Sequence, residues 1–124
     1  MFQNDSVATM IARIIGICGP FPKHVMRACV ESRKYFTASG VVFERSPESG
    51  QLALIYPKKT TLAARLHLLP SGGRSHDDDL FLDFVNRLLD LDPVMRPTAS
   101  EALRHPWLAD ADELVVSAPN LTVA

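Results

Sequence analysis

Hydrophobic side chains recur with a helical period near the start of the chain, just after residues whose side chains can cap a helix. They lie three and four positions apart, at Val7, Met10, Ile11, Ile14 and Ile15. Such spacing places them along one face of a 3.6-residue helix. Two glycines and two prolines follow, and they predict that the helix ends between Gly16 and Pro22.

A second helical pattern lies further along the chain, where Phe81, Phe84, Val85 and Leu88 repeat at the same intervals. The three aspartates at 77–79 precede it, and carboxylates in a first turn favour the positive end of the helix dipole. No calcium-loop spacing follows them, so we interpret them as a helix start and not as a metal site. Later, Thr98-Ala99-Ser100-Glu101 has the spacing of a capping box and predicts another short helix.

The stretch between these helices has a different pattern of residue types. Residues 22–34 predict a second helix with Pro22 in its first turn, because proline fits that position. Residues 41–45 and 51–56 are strand-like runs on either side of a turn-forming segment, which predicts a small hairpin. Thr60 or Thr61 is then expected to cap a short helix. The predicted fold class is mainly α with a small β-hairpin.

Composition and charge narrow the functional classes. The 124 residues are 47% hydrophobic and 22% charged, which is typical of one globular domain. A net charge of −1 provides no cationic field for a phosphate backbone, so no nucleic-acid partner is expected. The longest apolar stretch, at 7–18, is too short for a membrane span, and no signal peptide is visible. We expect an intracellular protein of the cytoplasm or nucleus, with Cys18 and Cys29 as free thiols.

The segment at 81–108 carries the most specific motif in the chain. Its elements are Leu88-Leu89, Asp92-Pro93, Arg96-Pro97-Thr98-Ala99, Ala102-Leu103 and His105-Pro106-Trp107. This series, with these spacings, resembles the last two helices of the C-lobe of a eukaryotic protein kinase domain. The resemblance implies a partial kinase-like C-lobe.

The resemblance continues towards the start of the chain. Tyr35-Phe36-Thr37, the strand at 41–45 and Pro57-Lys58-Lys59-Thr60 resemble the insert of CMGC-group kinases, which we place at 22–76. The helix before it is similar to that of DYRK-like kinases, the dual-specificity tyrosine-regulated branch. Residues 1–108 would then be the C-terminal portion of a kinase domain. Residues 109–124 would be an acidic, disordered tail.

Several residues gain structural roles from this resemblance. It implies that Arg96, shortly after the helix exit at Asp92, forms a buried ion pair with the glutamate of an APE motif, upstream of this segment. It also implies that Pro106 and Trp107 pack against the base of the lobe. Part of the apolar helix surface is covered in the family by helices that this chain lacks, so we expect exposed apolar patches.

Phosphoryl transfer in this family needs groups that the sequence does not contain. These are the glycine-rich loop, the strand lysine, the catalytic-loop aspartate and the magnesium-binding aspartate of the DFG motif. We therefore predict no catalytic, cofactor-binding or metal-binding residue, and no activity of the chain alone. ATP and Mg would belong to the intact parent kinase. Its expected partners are the missing upstream part of the domain and a protein substrate or regulator.

One alternative stays open, that of a non-catalytic helical protein-interaction module. The first helix and the hairpin would supply its surface, with a small basic patch at Lys23, Arg27, Arg33 and Lys34. Scattered cations on a helix also occur simply as solubilising groups. From the sequence, the patch is therefore a candidate partner surface.

Overall fold

The computed structural model describes residues 6–109 of the chain. The chain divides into two compact units, Met1–His67 and Leu68–Ala124. The chain is mainly helical with one small antiparallel hairpin, as the sequence predicts. Apart from Ala109, the predicted acidic tail lies outside the described residues. No helix within 6–109 has the length and apolar character needed to cross a membrane.

The first unit contains most of the secondary structure. Its elements are α1 (Val7–Cys18), α2 (Lys23–Ala28), a 3₁₀ helix (Val30–Lys34), β1 (Val42–Arg45), β2 (Leu52–Ile55) and α3 (Leu62–Arg65). The second unit contains α4 (His76–Leu88), α5 (Ala99–Ala102) and a 3₁₀ helix (Pro106–Leu108).

The first predicted helix forms as α1, with Ser6 as its cap. The Ser6 hydroxyl accepts from the Thr9 backbone N–H at 3.2 Å, and the Ser6 N–H donates to Thr9 Oγ1 at 3.0 Å. These bonds satisfy two backbone donors that a helix start would otherwise leave open. The helix continues through Gly16 and ends at Gly19, whose φ of 85° is easily adopted only by glycine.

The buried face of α1 consists of small residues, Ala8, Ala12 and Gly16. The large apolar side chains of the predicted stripe are partly buried, except Val7, which stays 47% exposed. The small face lets another backbone approach closely, since Thr60 N donates to Gly16 O at 3.0 Å. A Cβ added at Gly16 would lie 2.4 Å from Lys58 O. Backbone approach therefore decides which face of α1 is buried.

The single predicted helix at 22–34 is wrong in detail. Cys29 adopts an extended conformation, with φ −83° and ψ 107°, so α2 ends at Ala28. A 3₁₀ helix follows, and its turn is closed by the bond from Ser32 N to Cys29 O at 3.2 Å. Pro22 is the N-cap of α2 and not a residue of its first turn. Cysteine and the following β-branched valine are weak helix formers, which permits this break.

The hairpin forms as predicted, but β1 begins one residue later and β2 is one residue shorter at each end. β1 and β2 are antiparallel, and Val42 faces Ile55 across the ladder. Val42 is only 1% exposed and is the most deeply buried side chain among the described residues. Phe36 forms a bridge with Val42, so β1 is flanked on both edges, whereas no further strand within 6–67 pairs with β2. The hairpin therefore has one buried centre and one open edge.

The second unit begins with α4, one residue ahead of the predicted start. The Ser75 hydroxyl accepts from Asp78 N at 3.1 Å, and Ser75 N donates to Asp78 Oδ2 at 3.4 Å. The carboxylates at 77–79 do occupy the first turn of the helix. The capping residue predicted for the next helix is also correct, because the Thr98 hydroxyl accepts from Glu101 N at 3.2 Å. Local capping thus sets both helix starts.

Candidate functional site

The second unit is organised around one buried polar side chain, that of His105. It is 8% exposed and caps the 3₁₀ helix at Pro106–Leu108. Its Nδ1 accepts a hydrogen bond from the Trp107 backbone N–H at 3.1 Å, and its Nε2 lies 2.7 Å from Asp83 Oδ2. Because Nδ1 accepts, we assign the proton to Nε2, which donates to the carboxylate. Both ring nitrogens are therefore engaged.

Asp83 connects this histidine to the surface of α4. Its Oδ2 also accepts from Arg87 Nε at 2.8 Å, one helical turn further on. The hydrogen bonds from His105 and then from Arg87 lower the pKa of the Asp83 carboxyl below its usual value. The carboxylate accordingly remains ionised at neutral pH and holds His105 in a single orientation.

Three aromatic rings pack around this hydrogen-bonded pair. The ring centre of Trp107 lies 4.8 Å from that of Phe81 and 5.1 Å from that of Phe84, in tilted arrangements. Phe84 also lies 5.3 Å from His105. The tryptophan therefore packs on α4, while Pro106 stays exposed at the first position of its helix. These contacts fix the 3₁₀ helix on α4.

The His105–Asp83 pair has the hydrogen-bonding pattern of a base with its orienting carboxylate. Here, however, the histidine is buried and its second nitrogen is already bonded to a backbone N–H. No nitrogen is left to take a proton from a substrate. We therefore interpret the pair as a structural clamp between α4 and the segment after α5. The sequence motif includes His105, but nothing in the neighbouring sequence indicates that its hydrogen-bond partner is Asp83, 22 residues earlier.

The loop that contains Asp92 and Arg96 is built from nested turns. Asp90 Oδ1 accepts from Asp92 N at 2.9 Å, and Asp92 Oδ1 accepts from Val94 N at 3.0 Å. The Asp92 carbonyl then accepts from Arg96 N at 2.9 Å. These bonds hold the backbone of the loop in a fixed conformation.

Arg96 is exposed, and its Nε donates to the Asp90 carbonyl at 2.9 Å. Among residues 6–109 no carboxylate lies within ion-pair distance of it. The ion pair implied by the resemblance is thus not formed inside the described part of the chain. It stays a prediction, and the terminal nitrogens of the guanidinium point to no described carboxylate.

The candidate partner surface is divided between two short elements. Arg27 lies on α2, where its Nε bonds weakly to the Lys23 carbonyl at 3.4 Å. Arg33 and Lys34 lie on the following 3₁₀ helix, and Lys34 forms an ion pair with Glu31 that raises the pKa of the lysine. None of the four side chains of the patch, at Lys23, Arg27, Arg33 and Lys34, lines the cavity beside α1 or the one beside α4. Their role as a partner surface stays a prediction.

Charge is distributed very unevenly between the two units. Residues 1–67 contain nine Lys and Arg against four Asp and Glu, a formal charge of +5. Residues 68–124 contain four against ten, a formal charge of −6. The overall charge of −1 therefore conceals one basic and one acidic unit. Conclusions about partners that rest on net charge apply to neither unit alone.

Comparison with known proteins finds relatives among protein kinases. The chain is 28% identical over 109 residues to the dual specificity protein kinase CLK4 of Homo sapiens, across 86% of this chain and 21% of that kinase. CLK4 of Mus musculus matches to the same extent. A serine/threonine protein kinase of Aspergillus fumigatus is 28% identical over 105 residues, which cover 85% of this chain and 23% of the relative. No protein-family model matches.

These matches cover so much of the chain that they include residues of both units. Most of the chain is therefore a protein-kinase-like region, and its helical fold with one small hairpin is consistent with a partial kinase C-lobe. The chain spans about a fifth of the length of the curated relatives it matches.

Proposed function

We propose that the chain is the C-terminal part of a DYRK-like kinase domain of the CMGC group. In its complete form this domain would transfer the γ-phosphate of ATP, bound with Mg, to hydroxyl groups of proteins. The observation that carries the proposal is the similarity to kinases over 86% of the chain, through both units. The serine/threonine or dual-specificity character follows from the names of those relatives.

Within such a domain this chain would support the catalytic part without touching the nucleotide. The clamp of His105 and Asp83 fixes the final 3₁₀ helix on α4, and nested turns present the Arg96 guanidinium on the surface. A planar guanidinium whose terminal nitrogens meet no carboxylate among residues 6–109 suits a bidentate bond to a carboxylate from elsewhere. We assign that carboxylate to the glutamate of the APE motif in the missing upstream part. The location of this kinase would be intracellular.

A first experiment incubates the purified chain with Mg-ATP and a basic protein substrate. We expect no phosphate transfer above a no-enzyme control, because the groups that hold ATP and Mg would lie upstream. Phosphate transfer by the chain alone would contradict the proposal. In the genome, the coding region directly upstream is expected to contain, in frame, the HRD, DFG and APE motifs.

A second experiment restores the missing part by grafting. The corresponding C-terminal segment of human CLK4 is replaced by this chain, and we expect a folded chimera that phosphorylates protein substrate. Arg96→Lys in the chimera should lower both its thermal midpoint and its activity, since lysine loses the bidentate geometry. Arg104→Lys is the matched control, because Arg104 is exposed and forms no ion pair among the described residues. A folded but inactive chimera would argue against the proposal.

One observation favours the alternative, a non-catalytic protein-interaction module. Leu52, Leu54 and Tyr56 alternate along β2 and its continuation, and they are 53%, 50% and 72% exposed. Apolar side chains exposed on a strand are typical of contact surfaces. Unrelated sequence upstream in a real transcript would favour this function. A protein pull-down that survives Arg27→Ala with Arg33→Ala would exclude the basic patch as its contact surface.

A further inference from the structure

We propose that an open cavity in the first unit binds an acidic, extended peptide segment of a partner protein. The cavity has a volume of about 400 Å³, which lies within the range of ligand sites. It is bounded by α1, the end of β2, the segment at 58–60 and α3. All of these elements belong to the first unit.

The chemistry of the cavity wall is cationic. Arg13, Lys58, Lys59 and Arg65 line it, and among the described residues no carboxylate does. Arg65 also has an interaction of its own, so the proposal relies on the other three. Like charges gathered around one opening repel each other, and an anionic ligand relieves that repulsion. The +5 charge of residues 1–67 adds to the attraction.

The two lysines are held at the cavity by the backbone and not by chance side-chain positions. Thr60 N donates to Gly16 O at 3.0 Å, and the Lys58 carbonyl lies against the same glycine. This contact fixes the segment of Lys58 and Lys59 alongside α1, where Arg13 is located. Only side-chain freedom is then lost when a ligand binds, which lowers the entropic cost of binding.

The shape of the surroundings favours an extended peptide over a small anion. Ile55 and Tyr56 line the cavity and lie at the end of β2, whose outer edge is unpaired within the first unit. A partner strand can hydrogen-bond to such an edge. The exposed side chains of Leu52 and Leu54 can then contact every second side chain of that partner strand. Continuing along β2, the same strand reaches the cations. A segment with alternating apolar and acidic residues therefore matches both features.

This inference goes beyond the proposed kinase function and does not depend on it. Binding of an acidic segment requires only the first unit as it stands. The kinase proposal is tested by phosphate transfer and by the upstream coding sequence, whereas this one is tested by peptide binding. Either can therefore fail without the other.

The test uses the full chain and a fluorescein-labelled octapeptide of alternating glutamate and valine, measured by fluorescence anisotropy. We expect saturable binding that weakens with added salt, and no binding of the same peptide with glutamine in place of glutamate. Lys58→Ala with Lys59→Ala should weaken binding by about tenfold or more. Lys23→Ala with Arg33→Ala removes the same charge from the same unit outside the cavity, and binding should change by less than about twofold.

Four results would overturn the proposal. Equal losses in the two double variants would indicate unspecific attraction to a basic unit. Equal binding of the glutamine peptide would indicate strand pairing without a role for the cations. Displacement of the peptide by millimolar inorganic phosphate would assign the cavity to a free anion. Binding to vesicles of anionic phospholipid without binding of the peptide would assign it to a lipid surface. Near-UV circular dichroism confirms that each variant is folded.

Discussion

Each of the two units of this chain is stabilised internally, and the kinds of interaction that stabilise them differ. All the buried hydrophobic residues among those described lie in the first unit, namely Ala8, Ala12, Val42 and Leu62. In the second unit the buried residue is His105, and the larger apolar side chains around it remain partly exposed. The first unit therefore depends on close packing of buried apolar side chains, whereas the second depends on a hydrogen-bonded clamp with tilted aromatic rings.

The units also differ in charge, +5 for residues 1–67 and −6 for residues 68–124. In the first unit cations gather around an open cavity, and in the second the carboxylates are used in helix starts, turns and the clamp. The carboxylates of the second unit therefore stabilise its structure, whereas a binding role for the cations of the first unit is our proposal. Substitutions that remove one kind of interaction at a time test this difference.

The largest effect is expected from Gly16→Ala in the first unit. A Cβ at this position would lie 2.4 Å from Lys58 O, so the segment at 58–60 must move away from α1. We expect a loss of about 3 kcal/mol in the free energy of unfolding, the upper end for overpacking. Hydrogen exchange of the amides of α1 and of Thr60 measures it. Gly72→Ala is the control, because nothing lies within 4 Å of the added carbon; an equal effect there would contradict the close-packing interpretation.

A smaller effect is expected from His105→Ala in the second unit. The change removes the bonds to Asp83 and to the Trp107 backbone N–H, together with ring contacts to Phe84. We expect a loss of about 2 kcal/mol, as for a buried hydrogen bond to a charged group. Fluorescence of Trp107, the single tryptophan, reports unfolding of this unit. Arg87→Ala, which removes only the exposed partner of Asp83, should cost less than about 1 kcal/mol.

The smallest effect is a pH dependence centred on Asp83. Its pKa is lowered in the folded state from the ordinary 3.8, first by His105 and then by Arg87. Because the pKa of Asp83 is lower in the folded state, its ionised carboxyl stabilises the fold at pH values above the pKa of the unfolded state. This stabilisation is lost as the pH falls through the pKa of the folded state. Asp83→Asn should therefore destabilise the chain at pH 7 by less than about 1 kcal/mol, since the group is half-exposed.

The measurement compares urea unfolding of wild type and Asp83→Asn from pH 7 down to pH 2. The difference between them should be constant above about pH 5 and should shrink below 3.8. Glu48→Gln in the hairpin turn provides a matched loss of one carboxylate that makes no ion pair among the described residues. A difference that grows as the pH falls would contradict the assigned bonding of Asp83.

Features set by neighbouring residues were predictable from the sequence. The predicted caps at Thr61 and Thr98 each bond to a backbone N–H three residues later, so their spacing contains the necessary information. The hairpin was predictable for the same reason, because its strands are separated only by a turn. The motif around Arg96 and Trp107 also indicated kinase similarity, which the relatives support over most of the chain.

Other features could not be predicted, because they depend on atoms far apart in the chain. Periodicity marks the large apolar residues of α1, which are partly buried, but the close approach of Lys58 makes the small face the most deeply buried one. The break at Cys29 changes one backbone angle and leaves the apolar pattern unaltered. The bond between Asp83 and His105 spans 22 residues, and no local rule pairs them.

By itself, the sequence determined where α1, the hairpin and α4 lie, where Thr61 and Thr98 cap helices, and which family of proteins the chain resembles. Only the tertiary structure decided which face of α1 is buried, which carboxylate holds His105 and which cations share a cavity. The physical reason is the range of the interactions. Capping and turn bonds act within a few residues, whereas backbone approach, desolvation and charge clustering depend on where distant segments meet in space.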